Sequence, residues 1–258
     1  MKKKIAILGS TGSIGKSLLK IISRDKDNFD VVLLSANQNY KELLKQAKKF
    51  DVKKLIIKDK KFNDFLKSKM KKKIKIYNTF ENFEEIFPNK IDYVMSSIVG
   101  LDGLVPTINI IKHTKKIAIA NKESIICAWN LIKQKLNKHN TEFIPVDSEH
   151  FSIWYALKNN ENTSVSKVFL TASGGPLLNV PKNKFKTLKL NQVLKHPNWN
   201  MGSKITIDSS TIMNKVFEII EAKKIFKLNY KQLDIIIHPQ SYINAIEKDA
   251  LDGNFVSS

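Results

Sequence analysis

The 258-residue sequence predicts an α/β protein, a doubly wound parallel sheet over residues 1–147 followed by a second α/β catalytic domain over 148–258. Short apolar runs recur at 4–8, 31–36, 54–57, 74–77, 93–96, 117–120 and 143–146, and most are separated by stretches with helical spacing. The first run feeds straight into a glycine-rich turn and then a helix carrying Leu18, Leu19, Ile21 and Ile22. Polar and acidic residues gather where several runs end, which is where open α/β sheets bind ligands.

The opening turn reads Gly9-Ser10-Thr11-Gly12-Ser13-Ile14-Gly15. Strand, glycine turn and helix form the arrangement in which backbone N–H groups approach a pyrophosphate resting on the helix N-terminus, so the first domain reads as Rossmann-like. The spacing G-x-x-G-x-x-G is a variant of the usual fingerprint, and a tight strand-to-helix turn favours glycine without any ligand. Candidate cofactor contacts are Gly9, Ser10, Thr11, Gly12, Ser13 and Ile14. The second run ends at Asn37-Gln38-Asn39, where an acid would hold the ribose 2′-hydroxyl of NAD. With no acid there, a 2′-phosphate meets no repulsion, which favours NADPH, although no Arg or Lys stands at 37–39 to grip it.

The alternation continues with a helix at Tyr40–Phe50, a strand at Lys54–Ile57, a lysine-rich surface stretch to Lys73 and a helix near 104–112. After the run at 117–120 come Asn121, Lys122 and Glu123. A lysine at a strand end meets a substrate or nicotinamide; alternatively the segment only starts a helix with Glu123 in its first turn. Cys127, inside that helix, reads as a core thiol.

The run at 143–146 ends in Asp147-Ser148-Glu149-His150. In extended chain Asp147 and Glu149 point to one side, and two hard oxygen ligands suit Mg²⁺ or Mn²⁺. The alternative is a capping box for a helix starting near Phe151. Further on, 172–176 (ASGGP) is a small-residue turn able to wrap an anion. The loop His196-Pro-Asn-Trp199-Asn-Met201-Gly202 suits a lid, or a loop pinned by its Trp. A strand at 204–207 precedes a helix expected to open at Asp208 and run to about Phe226. Ser209 at its N-terminus favours phosphate, and Asn214 and Glu218 share one face with Lys215 adjacent. That helix offers phosphate ligands and a third carboxylate; read blandly, it is a capped amphipathic helix with Ile212, Val216, Phe217, Ile219 and Ile220 as core.

Composition bounds the rest. The hydrophobic fraction is 42% and no apolar run approaches the roughly 18 residues of a membrane span. One cysteine excludes an internal disulfide, and the start of the chain leaves no expected signal segment, so a cytoplasmic protein is anticipated. The net charge of +20 is carried by lysines spread along the chain with Arg24 the lone arginine, which argues against nucleic acid and for attraction of an anionic small molecule.

Taken in order, GSTGSIG at 9–15, ANKES at 120–124, PVDSEH at 145–150, SGGP at 173–176, HPNWNMG at 196–202, IDSSTIMNKVFEIIEA at 207–222 and IIHPQSYI at 236–243 resemble the motifs of 1-deoxy-D-xylulose-5-phosphate reductoisomerase. The resemblance implies an NADPH- and divalent-metal-dependent enzyme of non-mevalonate isoprenoid biosynthesis, acting on a sugar phosphate as a homodimer. It implies Asp147, Glu149 and Glu218 as metal ligands. Lys122, Ser148, Glu149, Ser173, His196, Trp199, Ser209, Asn214, Lys215 and Glu218 would meet the substrate. Lys122, Glu149, His150 and His196 would serve catalysis. Gly9 to Ile14, Asn37, Gln38, Asn39, Asn121, Lys122, Glu123 and Gly202 would serve NADPH. The sequence departs from the family pattern at Asn244, where a His is usual, and at Asn37-Gln38, where Gly and a basic residue are frequent. The C-terminal helical domain of the family is expected to be absent. Rival readings are an inactive NADPH-binding fragment of the family and a semialdehyde dehydrogenase-like reductase, whose nucleophilic cysteine Cys127 does not supply.

Overall fold

The first apolar run becomes the central strand of a sheet in a computed structural model that describes residues 1–69, 73–159, 165–189, 193, 207–208, 210–249 and 255–257. The chain divides into two units, Met1–Val146 and Asp147–Ser258.

Unit one runs β1 (Lys3–Leu8), α1 (Ser13–Ile22), β2 (Phe29–Ala36), α2 (Tyr40–Phe50), β3 (Lys54–Ile57), α3 (Lys60–Lys69), β4 (Lys75–Tyr77), α4 (Phe83–Ile86), β5 (Ile91–Ser96), α5 (Leu104–Ile110), β6 (Thr114–Ile119), α6 (Lys122–Lys138) and β7 (Glu142–Pro145). The seven strands lie in the order β4-β3-β2-β1-β5-β6-β7, and every pairing is parallel. Buried on both faces, the strands are nearly continuous in Ile, Leu, Val and Ala, as a parallel sheet requires. The order turns around between β1 and β5, so the carboxyl ends of those two strands open a crevice at a topological switch point.

Two expectations for this unit are corrected. The lysine-rich stretch after β3 is not plain surface but α3, because Asn63 and Leu66 fall on one side and are buried while the lysines point outward. Asn63 holds it in place by donating from Nδ2 to the Tyr77 carbonyl at 2.8 Å. Cys127 is exposed rather than in the core. The buried face of α6 is Ser124, Ile125, Trp129, Ile132 and Leu136, and helical periodicity puts position 127 on the other side.

Unit two comprises α7 (Ser148–Asn159), β8 (Val165–Ala172), α8 (Met213–Phe226), β9 (Leu233–Ile237), β10 (Ala245–Asp249) and β11 (Phe255–Ser257). Its sheet is ordered β11-β10-β8-β9, with β8 and β9 parallel and the other two pairings antiparallel. Ile153 of α7 and Ala222 of α8 join Val168, Leu170, Leu228, Leu233 and Ala245 in its core. The strand anticipated at 204–207 lies largely outside the described residues. The helix anticipated from Asp208 is interrupted: Ile212 adopts φ 60°, and α8 begins only at Met213. A β-branched residue in the left-handed region is a local strain that breaks the helix there.

The face α8 buries meets the bland expectation only in part: Ile219 packs against the core and Phe217 and Ile220 are half-buried, but charged residues are buried too. Lys215, Glu218, Glu221 and Ala222 are buried, whereas Ile212, Met213 and Val216 are exposed. Among the described residues no helix is long and apolar enough to cross a membrane.

Candidate functional site

The glycine turn after β1 is shaped by close approach. Gly9 has φ +82°, and a Cβ there would lie 2.8 Å from the Ser97 carbonyl oxygen. At Gly15 a Cβ would lie 2.5 Å from the Ser10 Cα, so α1 rests directly on the turn. The turn is laced to its neighbours. The Gly9 N–H donates to Ser35 Oγ at 2.9 Å, the Ser10 N–H to the Ser35 carbonyl at 2.9 Å, and the Ser97 hydroxyl to the Leu8 carbonyl at 2.8 Å. The N-cap of α1 is Gly12, with no side-chain cap and no acid in the first turn. By contrast, α2 and α6 are capped by Asn39 and Asn121. The first N–H groups of α1 are therefore left for something other than a side chain.

Around this turn the carboxyl ends of the strands enclose a cleft of about 640 Å³. It is walled by Gly9, Thr11 and Gly12, by Ser35 to Asn37, by Lys58, and by 97–99 after β5. Gly9, Thr11, Gly12 and Asn37 thus line the cleft. Ser10 does not: it is fully buried and its hydroxyl donates to the Ser35 carbonyl at 3.2 Å. Ser13 and Ile14 are exposed on the first turn of α1, outside the cleft lining. Gln38 donates to Asp59 at 3.1 Å and Asn39 caps α2, so neither amide faces the cleft. Asn121 is 2% exposed and spends its amide on the Ile98 and Gly100 carbonyls, at 2.5 and 2.7 Å, while accepting from the Ser124 N–H. It shapes the loop beside the cleft rather than lining it. Lys122 and Glu123 lie in the first turn of α6, also outside the lining.

The acids gather in unit two. Carboxylate oxygens of Asp147, Glu149 and Glu218 lie within 4.8 Å of one another. The extended-chain argument for Asp147 and Glu149 is corrected, because Glu149 sits in the first turn of α7; the segment is at once a helix start and an acid cluster. Ser148 Oγ donates to Glu149 Oε2 at 2.6 Å. Lys215 reaches both sides, its Nζ 2.6 Å from Glu149 Oε1 and 2.5 Å from Glu218 Oε2. Asn214 Nδ2 donates to Glu218 Oε1. Burial alone would pull the Lys215 pKa down, but the Glu218 and Glu149 carboxylates reverse this and hold it above the ordinary lysine value.

His150 is placed differently from its expected catalytic role. It is 1% exposed, with Nδ1 3.4 Å from Asp147 Oδ1 and Nε2 donating to the Glu218 carbonyl at 2.9 Å. Burial disfavours its charge, yet Asp147, Glu221 and that carbonyl outweigh it and lift its pKa to about 9. Nδ1 meets Asp147 as an ion-pair contact, while Nε2 hydrogen-bonds the Glu218 carbonyl. His150 therefore ties the segment of Asp147 to the helix of Glu218, touching no open space. Asp147, His150 and Glu221 form a second group of possible ligands, but with both ring nitrogens engaged the three-carboxylate set is the better cation site. Its all-oxygen donors suit a hard divalent ion, and the Lys215 ammonium already stands between two of them as a positive charge.

Ser173 follows β8, where its Oγ accepts from the Gly175 N–H at 3.3 Å within a turn whose Gly174 and Gly175 have positive φ. His196, Trp199, Met201, Gly202 and Ser209 lie outside the described residues. Sequence reasoning missed Lys58 and Glu221. Glu221 was detectable in principle, standing three residues beyond Glu218 as Glu218 stands three beyond Lys215, all on one stripe.

Residues 5–129 match the family model for 1-deoxy-D-xylulose 5-phosphate reductoisomerase, and residues 143–226 match the model for the C-terminal domain of that enzyme. A solved 1-deoxy-D-xylulose 5-phosphate reductoisomerase from Zymomonas mobilis, in complex with NADPH, superposes with a TM-score of 0.88 at 33% identity, covering 100% of this chain and 67% of that one. The chain belongs to the 1-deoxy-D-xylulose 5-phosphate reductoisomerase family. A reductoisomerase from Pelagibacter ubique is 61% identical over 251 residues, 95% of this chain and 64% of the relative. One from Thermoanaerobacter pseudethanolicus is 40% identical over 255 residues. Another solved reductoisomerase, in complex with NADPH, fosmidomycin and magnesium, has a TM-score of 0.89 at 32% identity. The chain thus spans about two thirds of the length of these reductoisomerases, 64% of the first and 66% of the second curated relative.

Proposed function

We propose that the chain binds NADPH in the cleft of unit one and a divalent cation, Mg²⁺ or Mn²⁺, on Asp147, Glu149 and Glu218. In this reading it converts 1-deoxy-D-xylulose 5-phosphate to 2-C-methyl-D-erythritol 4-phosphate in non-mevalonate isoprenoid biosynthesis. The observation that carries it is the charged stripe of α8: the helix packs Ile219 and Phe226 on the core yet also buries Lys215, Glu218 and Glu221, bringing charges together while Met213 and Val216 stay exposed.

Bound there, the cation supplies Lewis acidity to the substrate's ketone and hydroxyl oxygens and NADPH supplies the hydride. The chain's own residues do the rest. Asp147, Glu149 and Glu218 hold the cation, with His150 fixing Asp147 relative to the Glu218 backbone. Asn214 and Lys215, on the first turn of α8, with Ser173 and Ser209, hold the phosphate end, and Ser148 the reacting end. Gly9, Thr11 and Gly12 admit the pyrophosphate to the N-terminus of α1.

The test is turnover by this 258-residue chain of deoxyxylulose phosphate with Mg²⁺ or Mn²⁺, followed by the loss of NADPH absorbance. Metal-dependent NADPH oxidation is expected. Binding of NADPH and Mn²⁺ with no oxidation would overturn the activity of this chain and leave it a binding fragment.

A further inference from the structure

The end of β2, where dinucleotide folds meet the adenosine ribose, carries no acid and no base. Asn37 lines the cleft, while the Gln38 amide is committed to Asp59 and the Asn39 amide to the cap of α2. The neighbouring strand supplies what the loop lacks. The Lys58 N–H donates to the Ala36 carbonyl at 3.0 Å and the Asp59 N–H to the Asn37 carbonyl at 3.1 Å, so the tip of β3 is stitched alongside the tip of β2. This fixes the Lys58 backbone beside Asn37, and among the described residues lining the cleft Lys58 is the one cationic side chain. The nearest carboxylate in sequence, Asp59, is occupied on both oxygens, Oδ2 by Gln38 and Oδ1 by the Phe62 N–H.

We propose that Lys58 is the residue that receives the 2′-phosphate of the dinucleotide and so sets the preference for NADPH over NADH. It takes on, from an adjacent strand, the charge that Gln38 does not supply. A lysine suits this role as a strongly hydrated point charge reaching in from the rim, where no planar fork is needed. The inference rests on the cleft being the dinucleotide site.

The experiment is a fluorescence titration of the full chain with NADPH and, separately, NADH. The proteins compared are the parent, Lys58→Met, Lys58→Arg and Lys60→Met. Lys58 is exposed, so none of these changes disturbs the core. Lys58→Met is expected to weaken NADPH about 10- to 100-fold, the usual worth of a charge-assisted contact, and to leave NADH unchanged. Lys58→Arg is expected to stay within a few-fold of the parent, and Lys60→Met to match it. Unchanged NADPH affinity in Lys58→Met overturns the proposal, as does equal weakening of both nucleotides or an equal loss in Lys60→Met, which would show only the general basic field. A parent chain that binds neither nucleotide would overturn the dinucleotide reading itself, and Lys58 with it.

Discussion

Gly12 offers a clean separation of what the fold needs from what the ligand needs. Its φ is −76°, an ordinary value for any residue, and a Cβ added there would meet nothing closer than the Gly9 carbonyl oxygen at 3.4 Å. As an N-cap, alanine is worse than glycine by about 0.5–1 kcal/mol. Restricting the unfolded chain returns about 0.4–1 kcal/mol. Gly12→Ala should therefore leave folding stability within about 0.5 kcal/mol of the parent. If the pyrophosphate lies against this backbone, the same methyl should weaken NADPH at least about tenfold, or 1.4 kcal/mol. Gly15→Ala is the contrasting case. Its Cβ would stand 2.5 Å from the Ser10 Cα and 2.7 Å from two backbone carbonyl oxygens, so α1 must move off the turn. Overpacking of about 1–3 kcal/mol exceeds the roughly 1 kcal/mol gained in helix propensity, and stability should fall by about 1–2 kcal/mol. Urea unfolding and NADPH fluorescence on the two variants measure both quantities. A Gly12→Ala protein that binds NADPH like the parent, or that unfolds as readily as Gly15→Ala, would refute the assignment of this glycine to ligand approach.

Mn²⁺ or Mg²⁺ at a hundred times its Kd should stabilise the chain by about 2.7 kcal/mol, and Glu218→Gln should abolish that gain while keeping the fold, since Glu149 still pairs with Lys215; thermal unfolding with and without metal decides it. Asn121→Ala should cost about 2–4 kcal/mol in urea unfolding, because it removes a helix cap and strands the Ile98 and Gly100 carbonyls; a loss under about 0.5 kcal/mol would contradict its role. Burial lifts the Glu247 carboxyl to about 7. Its folded pKa being the higher one, its contribution is fully present below about pH 4.5 and lost as pH rises through 7, roughly 1–2 kcal/mol after screening. Glu247→Gln should remove that part of the stability difference between pH 5 and pH 8, measured against the parent.

The parallel sheet was readable because strands buried on both faces must be apolar throughout, and the glycine turn because backbone contact tolerates nothing larger. The acid trio was readable from a strand end and one helical repeat. The orientation of α8 was not. Counting Ile212 and Val216 as core assumes that a helix always buries its apolar side, and that rule fails where Lys215 is drawn in to pair with carboxylates on α7 and α8. Lys58 was also hidden, because its place beside Asn37 comes from β2 pairing with β3, a contact between residues some twenty apart in sequence. Gln38 and Asn39 looked like cofactor contacts from their position alone; only the partners of their amides reveal that Asp59 and α2 hold them.

The charged stripe of α8 also carries a charge argument. Asp147, Glu149, Glu218 and Glu221 bring four carboxylates to the junction of α7 and α8, while Lys215 and the imidazolium of His150 bring two positive charges. Buried charge of one sign is costly unless it is matched. With all four carboxylates counted as ionised, a deficit of two charges remains, which one divalent cation matches, and Asp147, Glu149 and Glu218 are the all-oxygen set whose ligand atoms lie within 4.8 Å of one another. On that count a monovalent ion would leave the cluster under-neutralised. Stabilisation by Mg²⁺ or Mn²⁺, and its absence with Na⁺ or K⁺ at equal ionic strength, is what this balance demands, because the burial of these acids by α8 is tolerable in proportion to the charge that meets them.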